Sequence, residues 1–193
     1  MAFDLALWLQ NEDYPARLDR WLVAAFGEEG VVWTKLWQTP CRVTQREEGA
    51  NYSVDLAAGG VVIAGDDEPN QGSYFAANHA KINLPVTLPP ATNSRIDSVV
   101  VQVFDIQAGG TDPGVDPIVR PRVIPGVASA TPAPPALPPT AILLAEITVP
   151  SGLPAVGNAQ IRDRRVLARE TIYRGTTPPP DPVEGLTWFQ PTT

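Results

Sequence analysis

The chain has 193 residues, of which 44% are hydrophobic and only 18% are charged, and it contains 22 prolines and 15 glycines. A net charge of −7 without any basic cluster argues against nucleic-acid binding, because such a chain cannot displace the counterions of phosphates. A single cysteine excludes an intrachain disulfide, and no apolar run reaches the roughly 20 residues that span a bilayer. Because no basic, apolar leader opens the chain, we expect the protein to be made in the cytoplasm and to be soluble there.

The first predicted element is a helix over residues 13–27, DYPARLDRWLVAAFG. Asp13 can cap its N-terminus, Pro15 suits its first turn, and Gly27 can end it in a left-handed conformation. Apolar residues recur at helical spacing along one face, namely Leu18, Trp21, Leu22, Ala25 and Phe26. Because the opposite face is not basic, we expect the helix to pack on a sheet and not on a membrane surface.

From Val31 onward the hydrophobic period changes to two, which is typical of strands. Residues 52–56, YSVDL, alternate between apolar and polar side chains, and residues 61–65, VVIAG, are almost wholly apolar. The Gly59-Gly60 turn signal lies between them. This arrangement predicts a β-hairpin.

Three later runs also have the composition of strands. Residues 80–89 alternate, but Pro85 within them predicts an edge strand or a bulge. Residues 99–104, VVVQVF, are apolar on both faces, so we expect a central, buried strand. Residues 142–150, ILLAEITVP, carry an apolar face opposite a polar one.

The segment between the last two runs is an insertion rich in proline, residues 107–140. Proline fixes φ and removes backbone donors every few residues, so this segment cannot be regular structure throughout. We predict one short strand over residues 118–124 and a polyproline-like crossing over residues 131–140.

The whole pattern predicts a mainly β fold, an antiparallel β-sandwich or small barrel with one short N-terminal helix, a proline-rich insertion and an extended C-terminal arm. We assign residues 1–30 to the N-terminal segment and helix, residues 31–170 to the β domain, and residues 171–193 to the arm. Trp188 and Phe189 on the arm are candidate intersubunit contacts, because large apolar groups on an extended segment usually dock on a surface.

Side chains suited to catalysis are sparse. His79 is the only histidine, which excludes zinc sites of the usual His/Cys composition. A nucleophilic pair of Cys41 and His79 is disfavoured, because no helix N-terminus is predicted next to Cys41 to lower its pKa. We therefore predict no catalytic residue, no metal and no cofactor.

The acidic turn at residues 65–72, GDDEPNQG, gathers oxygen ligands of the kind that hold calcium, namely Asp66, Asp67, Glu68 and Asn70. Their spacing fits no known calcium loop, so we interpret the segment as a solvated acidic turn. Asp112 and Asp116 form a similar, weaker set. Nothing in either spacing favours the carboxylate pair of a glycosidase.

Arg95 and Asp97 stand at the entrance of the buried run of residues 99–104. Alternation puts them on one side of the strand, about 7 Å apart along it. The segment QIRDRR repeats this chemistry with Asp163 and Arg165. We predict a crossed set of ion pairs between the two segments, a structural clamp that fixes register more than it adds stability.

Taken in order, NEDYPARLDRWLVAAF, YSVDLAAGGVVIAG, SRIDSVVVQVFD, ILLAEITVPSG and AQIRDRR resemble the minor tail or baseplate proteins of siphophages, in a pattern typical of phages of actinobacteria. The resemblance covers roughly residues 8–168. It matches Arg95, Asp97, Asp163 and Arg165 to recurrent charged positions of that family, which we interpret as structural.

The resemblance implies a non-enzymatic anchoring or adaptor domain in the tail of the virion, assembled in the host cytoplasm. Its implied partners are other tail or baseplate proteins and two further copies in a homotrimer, with no nucleic acid and no membrane insertion. Two alternatives stay open. One is a carbohydrate-binding module that uses aromatic side chains, with Trp33, Trp37, Tyr74 and Trp188 as candidates. The other is a virion-associated hydrolase that uses Asp66 or Asp112.

Overall fold

The computed structural model describes residues 16–110, 119–174, 178 and 184–189. Within these residues, one α-helix, two short 3₁₀ turns and twelve strands follow one another along the chain. The elements are α1 (Ala16–Phe26), β1 (Gly30–Val32), β2 (Val43–Gln45), β3 (Ser53–Leu56), β4 (Gly59–Ala64), β5 (Ser73–Asn78), β6 (Ile82–Pro85), β7 (Ser94–Val103), β8 (Val119–Ile124), β9 (Ala141–Pro150), β10 (Ile161–Asp163), β11 (Val166–Arg174) and β12 (Glu184–Phe189).

The strands form three sheets. The first has the order β12-β11-β1-β4-β5, the second β10-β9-β7-β8, and the third β2-β3-β6. Neighbours are antiparallel, except that β11 is parallel to both β1 and β12. The sheets pack together around a shared apolar core. The fold is therefore mainly β and sandwich-like, as the alternation predicted, and it is not a closed barrel over the described strands.

The core draws side chains from all three sheets. Its fully buried members include Val31, Val54, Leu56, Ile63, Val99, Ile142, Leu144, Ile147 and Val149. Burying one such side chain stabilises the fold by about 1.5–3 kcal/mol relative to leaving it exposed. The apolar positions of the alternating runs thus supply the main driving force for bringing the sheets together.

β7 is an interior strand of the second sheet, which confirms the prediction for residues 99–104. It pairs with β9 on one side and β8 on the other. Val99 and Val101 face the core, and on the opposite face Ser98, Val100 and Gln102 are buried as well. Some other segment must therefore cover the outer face of this sheet.

The segment that connects β8 to β9, residues 125–140, lies against this outer face. Both strands are antiparallel to β7, so the chain must cross back over the sheet between them, a connection usually made by a helix. The prolines of this segment exclude a helix. Gln102 Nε2 donates to Pro139 O at 3.2 Å, and Ser129 N donates to Ser94 O at 3.0 Å. The crossover is thus attached near both ends of β7.

Burial within the crossover repeats every three residues. Pro132, Pro135 and Pro138 are half-buried, whereas the residues between them are exposed. A polyproline II helix has three residues per turn, so one of its edges faces the sheet and the other two face solvent. This period agrees with the polyproline-like crossing predicted over residues 131–140, and the short strand predicted over residues 118–124 is present as β8.

Two further strand predictions are confirmed. β6 is an edge strand of the third sheet, and Pro85 is its last residue. β9 (Ala141–Pro150) includes all of residues 142–150. Its apolar face is not continuous as predicted, because the pairing with β7 shifts register and both Leu144 and Ala145 are buried.

The predicted hairpin of residues 52–56 and 61–65 is wrong, although both strands exist. β3 pairs with β2 and β6, whereas β4 pairs with β1 and β5 in a different sheet. Ala57 and Ala58 carry the chain between the sheets and form backbone hydrogen bonds with residues 41–42. Because both strands are buried on almost every position, their alternation could not indicate which partners they take.

The prediction of an extended arm over residues 171–193 is corrected where the chain is described. β11 continues to Arg174, and residues 184–189 form β12, an edge strand parallel to β11. The four prolines of TTPPPDPV dominate this stretch and obscured the short strand signal of EGLTWF.

The described part of the predicted N-terminal helix is α1, and Asp13 and Pro15 lie outside the described residues. Leu18 is buried, as its place on the apolar face predicted. Arg20 Nε donates to Gln71 O and Trp21 Nε1 donates to Asn70 O, each at 2.7 Å. The helix therefore packs beside the turn that leads into β5.

Candidate functional site

Arg95 and Asp97 form a buried fork at the start of β7. Nε and Nη2 of Arg95 donate to the two carboxylate oxygens of Asp97 at 2.8 and 3.1 Å. The same guanidinium donates to the carbonyl oxygens of Leu88 at 2.7 Å and Thr87 at 2.5 Å. Asp97 Oδ1 also accepts from Gly126 N at 3.0 Å. The fork thus joins β7 to the segment after β6 and to the start of the crossover.

Asp163 and Arg165 form a second fork at the end of β10. Nε and Nη2 of Arg165 donate to the carboxylate oxygens at 2.9 and 2.7 Å, and Nη1 donates to Pro40 O at 2.8 Å. The arginine side chain is fully buried, whereas the Asp163 side chain is 50% exposed. Burial would raise the pKa of Asp163, but the hydrogen bonds and charge of Arg165 outweigh it and lower that pKa below its ordinary value.

The predicted crossed set of ion pairs between the two segments is wrong. Each arginine pairs with the aspartate two residues away on its own segment. Side chains at i and i+2 point to the same side of an extended chain, so the two charges can meet without a second strand. The four residues still clamp the chain, but the groups that they hold across space are backbone carbonyls and a backbone amide.

The acidic turn of residues 65–72 is folded onto the body and is not simply solvated as predicted. Asp66 Oδ1 accepts from the backbone N of Thr140, and the Thr140 hydroxyl donates to Asp67 Oδ2 at 2.5 Å. Thr140 is almost fully buried and has a φ of +49°, which is rare for a β-branched residue. The turn therefore holds the end of the crossover in a strained conformation just before β9 begins.

Sequence reasoning missed the polar network on the other side of this turn. The buried Gln71 accepts from Asp67 N at 2.8 Å and donates to the Tyr74 hydroxyl at 2.8 Å. That hydroxyl donates to Asp105 Oδ2 at 2.7 Å, and Arg20 lies 3.5 Å from the same oxygen. Burial, together with the neighbouring Asp105, raises the pKa of Tyr74 to about 12. No periodic signal connects these residues, because they come from α1, from the acidic turn and β5, and from the segment that follows β7.

A second missed contact ties β9 to the segment after β10. Arg164 Nη2 donates to Glu146 Oε2 at 2.7 Å, and Arg164 N donates to Leu144 O at 2.9 Å. The alternation of residues 142–150 gives no indication of a partner for Glu146. Its carboxylate is in fact largely buried against this arginine.

Cys41 and His79 lie in different environments. Cys41 is buried, and its burial raises the pKa of the thiol to about 11 although the charge of Arg165 partly offsets it. His79 is exposed. Within the residues that the structure describes, no three His, Cys, Asp or Glu side chains are grouped so as to hold a metal ion. Asp112 and Asp116 lie outside those residues.

The candidate aromatic side chains occupy different parts of the molecule. Trp33 packs against the core and donates to Gln38 O at 3.1 Å, and Trp37 is half-buried. Tyr74 belongs to the network described above. Trp188 lies on β12 and is 39% exposed, whereas the side chain of Phe189 lies outside the described part of the chain.

Among the described helices, none is both long and apolar enough to cross a membrane. No family model, no curated protein and no solved structure matches this chain. The function is therefore inferred from the arrangement of the polar groups. What that arrangement does chemically is to hold separate backbone segments in one fixed geometry.

Proposed function

We propose that this protein is a structural component of a bacteriophage tail tip or baseplate, where it anchors or adapts other tail proteins through oligomeric contacts of its β domain. The proposal includes a homotrimer located in the virion tail and assembled in the host cytoplasm. It assigns the chain no catalytic role and no cofactor. The resemblance of the ordered segments to siphophage tail proteins is its first support.

The observation that carries the proposal is how the buried guanidinium of Arg95 is used. Its four hydrogen bonds end on Asp97 and on two backbone carbonyl oxygens. The Arg165 guanidinium likewise donates hydrogen bonds to Asp163 and to a backbone carbonyl oxygen. A charge used in this way fixes the register of the chain, and a rigid, well-registered domain is what a repeated assembly requires.

A carbohydrate-binding module is the second candidate, and the partly exposed Trp188 is the observation that favours it. Exposed aromatic rings can stack on sugars. The other aromatic candidates support this function less, because Trp33 packs against the core and the Tyr74 hydroxyl is already bonded to Asp105. Retention on a glycan array that is lost in Trp188→Ala would support this candidate.

Immunogold labelling tests the leading proposal. Antibodies raised against the purified chain are applied to phage particles from a producing culture, and we expect gold at the distal end of the tail. Label confined to the capsid, or found only in the unassembled fraction, would contradict the proposal. A particle that encodes Asp97→Asn should incorporate less of the protein, with Glu48→Gln at an exposed ion pair as the control.

A further inference from the structure

The outward side of the crossover is a straight apolar surface, which we call the proline ridge (residues 132–139). No turn or bend interrupts residues 132–138, which make about two turns of a polyproline II helix at three residues per turn. The crossover is attached to the sheet at both ends, where Gln102 donates to Pro139 O and Ser129 N donates to Ser94 O. The ridge is therefore held in one conformation and has little conformational freedom left to lose on binding a partner.

The ridge turns two of its three edges towards solvent. The edge that faces the sheet consists of three half-buried prolines, Pro132, Pro135 and Pro138. The exposed side chains between them form one pair in each turn, residues 133–134 and residues 136–137. Leu137 in the second pair is 45% exposed. A crossover that only covered the sheet would need apolar side chains on one edge, so the apolar character of the other two indicates an interaction surface.

The composition of the ridge defines the chemistry of its partner. No charged residue occurs between positions 123 and 145, although the chain carries a net charge of −7. The exposed side chains of the ridge are alanine, proline and leucine, which offer no hydrogen-bond donor. What a polyproline II segment does offer is apolar surface and backbone carbonyl oxygens without internal hydrogen bonds. Aromatic side chains match both, because their rings cover apolar groups while the Tyr hydroxyl and the Trp indole donate hydrogen bonds.

We propose that the proline ridge is the recognition site for a protein partner whose groove is lined with aromatic side chains. Residues 133–134 and 136–137 fill successive gaps between the rings of that groove, in the way that extended proline segments are generally recognised. The edge that faces the sheet takes no part in the contact. The inference goes beyond the proposed function and does not depend on it, because the ridge has the same chemistry wherever the protein is located.

An NMR titration of the isotope-labelled full chain tests this inference. The probes are a panel of isolated WW domains, whose grooves are lined with aromatic side chains. We expect at least one of them to cause saturable shifts of the backbone amide signals of Ala133, Ala136 and Leu137. If no domain of the panel causes such shifts up to about 1 mM, the inference is overturned.

Two substitutions with the same change of charge locate the contact. Leu137→Asp should weaken binding by about tenfold or more, because it puts a charge where an apolar side chain is buried against the rings. Val127→Asp is the matched control, because Val127 lies in the crossover outside the ridge and is 80% exposed. It should bind like the unmodified chain, and equal weakening in both variants would overturn the inference.

Two adjacent prolines separate recognition from folding. Pro134→Ala removes a ring on an exposed edge, so it should weaken binding more than Pro135→Ala, which removes a ring on the edge that faces the sheet. Thermal unfolding of the same two variants should give the opposite order. A crossover that serves only to cover the sheet would show the order in unfolding and none in binding, which would overturn the inference.

A second copy of the chain is the alternative occupant of the ridge. Light scattering coupled to size-exclusion chromatography, run over a concentration series, compares the unmodified chain with Leu137→Asp. We expect the two proteins to have the same mass at every concentration. Association of the unmodified chain that is lost in Leu137→Asp would show that another copy covers the ridge, and it would overturn the inference.

Discussion

Arg95 and Asp97 are the most deeply buried ion pair in the described part of the chain. Moving two charges out of water costs several kcal/mol for each ion, and their mutual attraction offsets this cost only when the remaining hydrogen bonds are also made. Here the carbonyls of Thr87 and Leu88 and the amide of Gly126 complete the set. The pair therefore fixes the geometry of the chain more than it adds net stability. Each of the two charges needs the other, because neither is stable in the interior without its counter-ion.

We predict that Asp97→Ala lowers the free energy of unfolding by about 3–5 kcal/mol, because it leaves the Arg95 guanidinium buried without a counter-ion. Urea denaturation measures the loss. Arg46 and Glu48 form a pair with the same spacing at the surface, so Glu48→Ala should cost no more than about 1 kcal/mol. Equal losses in the two variants would contradict the argument.

The half-exposed Asp163 gives a prediction about pH. Its pKa is lower in the folded state than the ordinary value of about 3.9, so its contribution is fully present above that value and is lost as the pH falls through the folded pKa. We expect Asp163→Asn to be less stable than the unmodified chain at pH 7, and the difference to shrink below about pH 4. Urea denaturation at pH 7, 5 and 3 measures it; a difference that stays constant would refute the assignment.

At the scale of elements, the crossover shows how a segment without a core of its own becomes part of the fold. Its composition excludes a helix, yet the chain has to return from the end of β8 to the start of β9. A polyproline segment spans this distance in few residues, at about 3.1 Å each, and presents a half-buried proline to the sheet at every third position. Ser98, Val100 and Gln102 are buried on the face that it lies against.

The period of three predicts different roles for adjacent prolines. Pro135→Ala should lower the melting temperature more than Pro134→Ala, because Pro135 is half-buried on the sheet and Pro134 is exposed. Both changes give the unfolded chain more freedom, worth about 0.4–1 kcal/mol, so the difference between them isolates the packing. Thermal unfolding followed by circular dichroism measures it. A larger shift for Pro134→Ala would show that the wrong edge has been assigned to the sheet.

At the scale of the whole molecule, β12 determines which strand forms one edge of the first sheet. β12 covers β11, which is thereby an interior strand of the first sheet. An uncovered, long edge strand presents unpaired backbone groups to other chains and promotes aggregation. Residues 184–189 thus complete the first sheet, although their sequence was interpreted as part of an arm.

Deletion of residues 178–193 removes β12 and should make the protein aggregate, because the nine-residue strand β11 becomes an edge. Static light scattering during incubation at 37 °C measures this. Deletion of residues 190–193 removes only the residues after β12 and serves as the control, which should stay unaggregated. If the longer deletion scatters no more light than the control, β12 does not protect the sheet.

Much of the fold followed from local pattern. The strands β6, β7, β8 and β9 were predicted because alternation, an apolar run or a proline indicates directly which faces of a segment are buried and whether it lies at the edge of a sheet. The positions of Arg95, Asp97, Asp163 and Arg165 as a structural clamp came from their spacing alone. The polar network of Gln71, Tyr74 and Asp105 could not be predicted, because Asp105 lies 31 residues from Tyr74 and the three residues share no period.

The amino-acid sequence by itself determined six of the strands (β3, β4, β6, β7, β8 and β9), where the chain cannot be helical, and which charges stand at strand ends, because these properties depend on neighbours along the chain. Only the tertiary structure decided which strand pairs with which, that each arginine bonds its own aspartate, and that residues 184–189 join the first sheet. The reason is physical. A strand with two buried faces satisfies its hydrogen bonds equally well in several ladders, and the choice among them depends on side chains that meet only when all three sheets are packed.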